Sequence, residues 1–282
     1  MTTVSGSSIK TSLPPDCLHC CNTSPPDSGP RLQRSHPTSS STQKQMAGLC
    51  WMVVVLVFSL SAGHSEAMNK NDVQKIVQYI LGRYSIVNKH FSLAVNIPVN
   101  QDLTKLPELF NDDDAATVRN TVQSGNVYRG INVVEALPRS YTAANGYQYT
   151  DHAEARVLDN IQPLAHCSAG NSLVFYSYLS PCGTKCTNPN NYNNILKKID
   201  NIRKDKWADS AFVFSTVFDG YKDQNGNYVY FTVDEIRNTL KNLGTTKFRR
   251  DNIFRCFRGK NNIISCINCF KNGALSDDCV FN

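Results

Sequence analysis

The chain has 282 residues, ample for a packed core in one large domain or two small ones. Its 29 Lys and Arg against 23 Asp and Glu give a net charge of +6, which admits a phosphate-bearing partner without requiring one. Composition excludes the first 45 residues from that core: rich in Ser, Thr and Pro (Pro25-Pro26, Thr38 to Thr42) and without apolar periodicity, they read as disordered or not translated.

Residues 46–67 read as a secretory signal peptide. The apolar run from Ala47 to Leu60 has Lys44 just upstream and is too short to span a bilayer comfortably. Ser65-Glu66-Ala67 then satisfies the small-x-small rule for signal peptidase. The expectation is a secreted product starting near Met68, with no stable membrane association; a signal anchor is the rival reading.

From Asn71 the pattern alternates helix and strand. Val73, Ile76, Val77, Ile80 and Leu81 recur at helical spacing, predicting an amphipathic helix over 71–84. Phe91 to Ile97 reads as a strand stopped by Pro98, Asp114 as the cap of a helix over 115–123, and Val127 to Ala136 as a second strand. The segment from Pro138 to Thr150 reads as a loop, followed by a short helix over 151–160. Leu173 to Leu179 is a third strand, delivering Ser180-Pro181-Cys182 at its carboxyl end. Asn188-Pro189 predicts the start of a helix to about Lys206. Ala211 to Phe218 is a fourth strand, Tyr228 to Phe231 a return hairpin strand, Asp234 to Leu243 a helix ended by Gly244, and Thr246 to Arg250 a fifth strand.

Eleven cysteines divide by position. Cys17, Cys20, Cys21 and Cys50 precede the expected cleavage site. Cys256, Cys266, Cys269 and Cys279 lie in a tail, residues 251–282, where an oxidising secretory route favours disulfides. Four cysteines allow three pairings, and the sequence does not choose among them. Cys266-x-x-Cys269 as half of a second zinc site lacks a second half with ligand spacing, and Cys167 reads as a buried free thiol.

The remaining pair sits opposite a His-x-Glu. Asp151-His152-Ala153-Glu154 and Ser180-Pro181-Cys182-Gly183-Thr184-Lys185-Cys186 supply one imidazole, two thiols and one spare carboxylate. That is the donor set of a catalytic zinc site, with three protein ligands and a fourth position for water. Each piece alone has a plainer reading. Asp151 and Glu154 have the spacing of a capping box, and a Cys pair in a secreted chain suits a disulfide.

His152, Glu154, Pro181, Cys182 and Cys186 together resemble the signature of the zinc-dependent cytidine deaminase superfamily, His-x-Glu followed by Pro-Cys-x-x-Cys. Ser180 and the twenty-six residues between Glu154 and Pro181 make it similar to the AID/APOBEC-like branch, and the signal peptide to the secreted AID/APOBEC-like deaminases of vertebrates. The cysteines here are separated by three residues instead of two, an extra residue that Gly183 would absorb at positive φ.

The resemblance implies a three-layer α/β/α cytidine deaminase-like fold over residues 68–250, with a central mixed five-stranded sheet whose fourth and fifth strands are parallel. It further implies Zn2+ on His152, Cys182 and Cys186, and Glu154 as catalytic proton shuttle in converting cytosine to uracil, with a role in defence. The substrate implied is single-stranded DNA or RNA, and Asn145, Tyr147 and Tyr149 before the His-x-Glu helix become candidate base-binding residues. Two other readings stay open: a deaminase of free cytidine or its nucleotides, and a non-catalytic extracellular binding module whose zinc is closed by His166 or Cys167.

Overall fold

A computed structural model describes residues 67–282 apart from Tyr147, Cys167, residues 203–205, Gln224 and Lys260. The expected signal peptide, the segment before it and the thiol of Cys167 lie outside the described residues. In chain order the elements are α1 (Lys70–Tyr84), β1 (Ser92–Ile97), α2 (Leu106–Leu109), α3 (Ala115–Gln123), β2 (Tyr128–Arg129), β3 (Val133–Ala136), β4 (Arg139–Thr142), β5 (Gln148–Asp151), α4 (Ala153–Asp159) and α5 (Gln162–His166). Then come β6 (Asn171–Leu179), α6 (Ile195–Asp200), β7 (Trp207–Thr216), β8 (Gly220–Lys222), β9 (Tyr228–Tyr230), α7 (Val233–Leu243), β10 (Ile253–Arg258), β11 (Ile264–Asn268), β12 (Phe270–Lys271) and β13 (Ala274–Leu275).

The central sheet is mixed and has seven strands, not five, in the order β11-β10-β7-β6-β1-β3-β2. β6, β7 and β10 run parallel to one another; β1 is antiparallel to both β6 and β3, and β11 is antiparallel to β10. Side chains alternate between two cores, as a period of two requires. Ala94, Phe175, Phe212 and Phe214 face α4, α6 and α7, while Leu93, Val95, Val174, Tyr176 and Val213 face α1 and α3. Phe175, Phe212 and Phe248 form one aromatic cluster, with the first two rings stacked at 5.3 Å. Burying each such ring contributes about 1.5–3 kcal/mol.

Five sequence expectations are corrected, beginning with the loop read over 138–150, most of which forms the β4–β5 hairpin. Thr246 to Arg250 is not a strand: the Thr245 and Thr246 hydroxyls donate to Asn242 and Leu243 carbonyls, prolonging the helix end into turns, and Arg249 has φ of 60°. The strand parallel to β7 is β10, so the sheet continues past residue 250 and the cysteine-bearing tail supplies two of its strands. The helix expected from Pro189 starts at Ile195, because Asn188, Asn191 and Asn194 each accept from the backbone amide two residues on, spending the segment in Asx turns before Asn194 caps the helix. The second strand is broken into β2 and β3 around buried Asp113, whose carboxylate accepts from the Tyr128 hydroxyl and the Ile131 and Asn132 amides. Gly130 is needed there, since a Cβ would lie 1.6 Å from Asp113 Oδ1.

The tail closes the sheet. Cys256 and Cys266, directly paired across β10 and β11, form one disulfide, and Cys269 and Cys279 form the other. β11 is an edge strand, and α1 covers its free backbone: Gln78 Oε1 accepts from the Ile264 amide at 2.8 Å and Gln74 Oε1 from the Cys266 amide at 3.2 Å. Among the described residues no helix is long and apolar enough to cross a membrane.

Candidate metal centre

The parallel strands β6 and β7 end together, fixing where the turn that carries Cys182 and Cys186 starts. The Ser180 amide donates to the Thr216 carbonyl at 2.8 Å, and Ser180 Oγ accepts from the Phe218 amide at 2.9 Å. From there Pro181 leads into a turn over 183–187, in which the Thr187 amide donates to the Cys182 carbonyl and the Cys186 amide to Cys182 Sγ at 3.3 Å. Both thiols are buried and reduced. Gly183 does not take the expected positive φ. Glycine fits for another reason: a Cβ there would lie 2.9 Å from Thr239 Oγ1 on α7.

Across the turn, α4 begins at Ala153 with His152 as its N-cap. The capping box suggested by Asp151 and Glu154 does not form. Asp151 belongs to β5 and accepts from Asn193 Nδ2, which removes it from the helix start. His152 Nδ1 lies 3.1 Å from Cys186 Sγ and 3.7 Å from Cys182 Sγ, and the three donor atoms fall within 4.8 Å of one another. One imidazole nitrogen and two unpaired thiols at this spacing fit zinc, and the disulfide reading of this pair is excluded. His166, the alternative fourth ligand, is an exposed residue outside this three-donor cluster, and Cys167 lies outside the described residues.

The site is strongly polarised. A hydrogen bond from Cys186 pulls the Cys182 thiol down to about 3, against burial and with help from His152. The same sharing of one proton, together with burial, pushes the Cys186 thiol well up. Burial pulls His152 down, yet its hydrogen bond to Cys182 and the charge of Glu154 outweigh it, so its pKa is raised.

Glu154 is 1 % exposed and stands apart from the three donors. Its Oε1 accepts from the Ser177 hydroxyl at 3.0 Å, and Ser92 Oγ donates to Ser177 Oγ at 3.0 Å from the neighbouring strand. His90 Nε2 lies 3.7 Å from the same carboxylate oxygen. Burial lowers the pKa of His90, with the Glu154 charge opposing. Oε2 is buried and accepts no hydrogen bond from the described residues. A cavity of about 200 Å³ opens onto these groups, bordered by His90, Glu154, Thr150, Leu179 and Phe218.

Asn145 sits in the exposed turn of the β4–β5 hairpin, and Tyr149 on β5 stacks on Tyr141 at 5.0 Å; neither borders this cavity, and Tyr147 lies outside the described residues. Sequence reasoning missed Ser92, Ser177 and His90. Ser177 left a signal, as a hydroxyl inside an otherwise apolar central strand; His90 left none.

Comparison with known families settles the chain's relationship. Residues 70–282 match the family described as Secreted Novel AID/APOBEC-like Deaminase 1. The chain belongs to that family. No curated protein and no solved structure matches the chain significantly. Within an AID/APOBEC-like deaminase, the His152, Cys182 and Cys186 cluster is compatible with zinc, and the family description marks its members as secreted.

Proposed function

We propose that this chain is a secreted, zinc-dependent hydrolase that removes the exocyclic amine of cytosine, in single-stranded nucleic acid. The observation that carries the reading is the pairing of a three-donor cluster with a buried carboxylate whose Oε1 is held by Ser177 and whose Oε2 has no hydrogen-bond partner among the described residues. His152, Cys182 and Cys186 would hold the metal. When bound there, zinc supplies Lewis acidity, lowering the pKa of water toward neutrality.

The protein's own residues supply the proton traffic. Water adds through oxygen to C4 of cytosine, and Glu154 takes one proton from it and delivers it to ring N3. A second proton passes through the same carboxylate to the amino group, the C4–N bond breaks, and ammonia and uracil leave. Ser177 keeps the carboxylate turned toward the cavity throughout, and Leu179, Phe218 and Pro138 shield it from bulk water. The branch to which the family belongs and the basic balance of the chain support a polynucleotide substrate.

Export is supported by the family description and by the two disulfides, which suit an oxidising compartment. The test is zinc content measured alongside deamination of single-stranded DNA, single-stranded RNA and free cytidine. Turnover of free cytidine equal to that of an oligonucleotide would replace the substrate proposed here with a nucleoside.

A further inference from the structure

A second cleft, of about 560 Å³, adjoins the cavity above Glu154 at His90, which borders both. It lies at the carboxyl ends of β6, β7 and β10, the edge of the sheet from which β6 delivers Cys182. Lys89, Arg255 and Arg258 line it, and among its described lining residues none is Asp or Glu. That sets it apart from the clefts beside α7, Met68 and Trp207, which hold Glu235, Asp72 and Asp209 respectively. Two rings are open to solvent in it, Tyr178 at 41 % and Phe257 at 39 % exposure.

We propose that this groove holds the strand flanking the target base of a single-stranded polynucleotide. Arg255 supplies a fixed charge: its guanidinium is anchored by the carbonyls of Ser215, Asp278 and Phe281 and lies over the Phe257 ring at 5.8 Å. Lys89 and Arg258 are exposed and reach phosphates. Cations interleaved with exposed aromatic faces match a ligand that alternates phosphates with bases; an acidic peptide would use the charges and leave the rings idle. Because both clefts border His90, a strand in this groove lies beside the cavity, and one nucleotide would turn past His90 toward Glu154. Only this last placement rests on the deaminase reading.

The experiment is fluorescence anisotropy of the zinc-loaded chain with dye-labelled oligo(dT) and oligo(U) at several salt concentrations, which needs no turnover. Relative to wild type, Lys89→Glu with Arg258→Glu should bind about tenfold more weakly and make the log–log salt slope shallower by about two. Tyr178→Ser should weaken binding about fivefold or more through lost stacking. Lys241→Glu on α7 should change nothing, and thermal melting checks that each variant folds. No binding by the wild type, a double variant within twofold of it, or displacement by poly-glutamate as effective as by unlabelled oligonucleotide would each overturn the proposal. A chain that deaminates strands yet ignores the double reversal loses the groove and keeps the reaction; one that binds through the groove without deaminating keeps the groove and loses the reaction.

Discussion

The Ser177 hydroxyl donates to Oε1 of Glu154 across 3.0 Å, from a central strand to the first turn of α4. One carboxylate oxygen is thereby committed to the protein, and the other has no hydrogen-bond partner among the described residues, as the proposed proton transfer requires. Ser177→Ala should therefore lower kcat by roughly 10- to 100-fold, the cost of a hydrogen bond to a charged group, with little change in KM. Ser177→Thr, which keeps a hydroxyl and suits a strand, should restore most of the loss. A Ser177→Ala protein that melts lower but turns over normally would show a purely structural hydroxyl.

Zinc affinity should rise with pH. The Cys186 thiol carries the proton shared with Cys182, and its pKa is raised by that sharing and by burial, so a cation must displace a proton to use both sulfurs. Titration calorimetry of zinc into metal-free protein near pH 7, in buffers of different ionisation enthalpy, should show net proton release of about one or more per zinc. Cys186→Ala should abolish tight binding, and binding without proton release would contradict the thiol pairing.

Glu135 on β3 predicts a pH dependence of folding. It is fully buried, neither carboxylate oxygen has a hydrogen-bond partner among the described residues, and burial raises its pKa from 4.5 to about 8, with Arg119 opposing. The folded state keeps the proton between those two values while the unfolded state releases it. This contribution to stability is thus fully present below pH 4.5 and lost as pH rises through about 8. The loss is on the order of a few kcal/mol. Glu135→Leu should flatten the fall and raise the melting temperature at pH 8 and above. An unchanged profile would mean that Glu135 has a partner in solution.

Covering of the β11 edge predicts assembly behaviour. Replacing Gln74 and Gln78 together by Leu removes the acceptors for the Ile264 and Cys266 amides and leaves an open strand edge. Sedimentation velocity should then show concentration-dependent self-association that the wild type lacks, and a strictly monomeric double variant would refute the capping role.

The convergence of the candidate donors was legible in the sequence because a zinc motif constrains residue type and order: His152, Cys182 and Cys186 come together as that motif implies, in a cluster compatible with zinc. Helices α1 and α3 were legible from apolar spacing and from Asp114 as a cap. The end of the sheet was not. Gly244 ends α7 as the sequence suggests, but Thr246 to Arg250 is no strand, because Thr245 and Thr246 bend the chain through local hydroxyl bonds that periodicity does not register. β10 and β11 were hidden because their cysteines invite reading as staples on a loop, although Cys256 and Cys266 are also directly opposed strand residues. Ser92 and His90 escaped for a different reason: each meets Glu154 or Ser177 only through tertiary packing, and no local pattern encodes such a meeting.

Glu154 carries the central claim, and its role separates cleanly from that of the metal donors. The most direct measurement compares wild-type protein with Glu154→Gln for zinc content and for conversion of cytosine to uracil in single-stranded oligonucleotides. The account predicts equal zinc in both, turnover by the wild type, and a loss of at least 100-fold in the variant, because the proton carrier is gone while the His152, Cys182 and Cys186 donors remain. Undiminished turnover by Glu154→Gln, or a wild-type protein that holds zinc and deaminates neither oligonucleotide nor free cytidine, would contradict it.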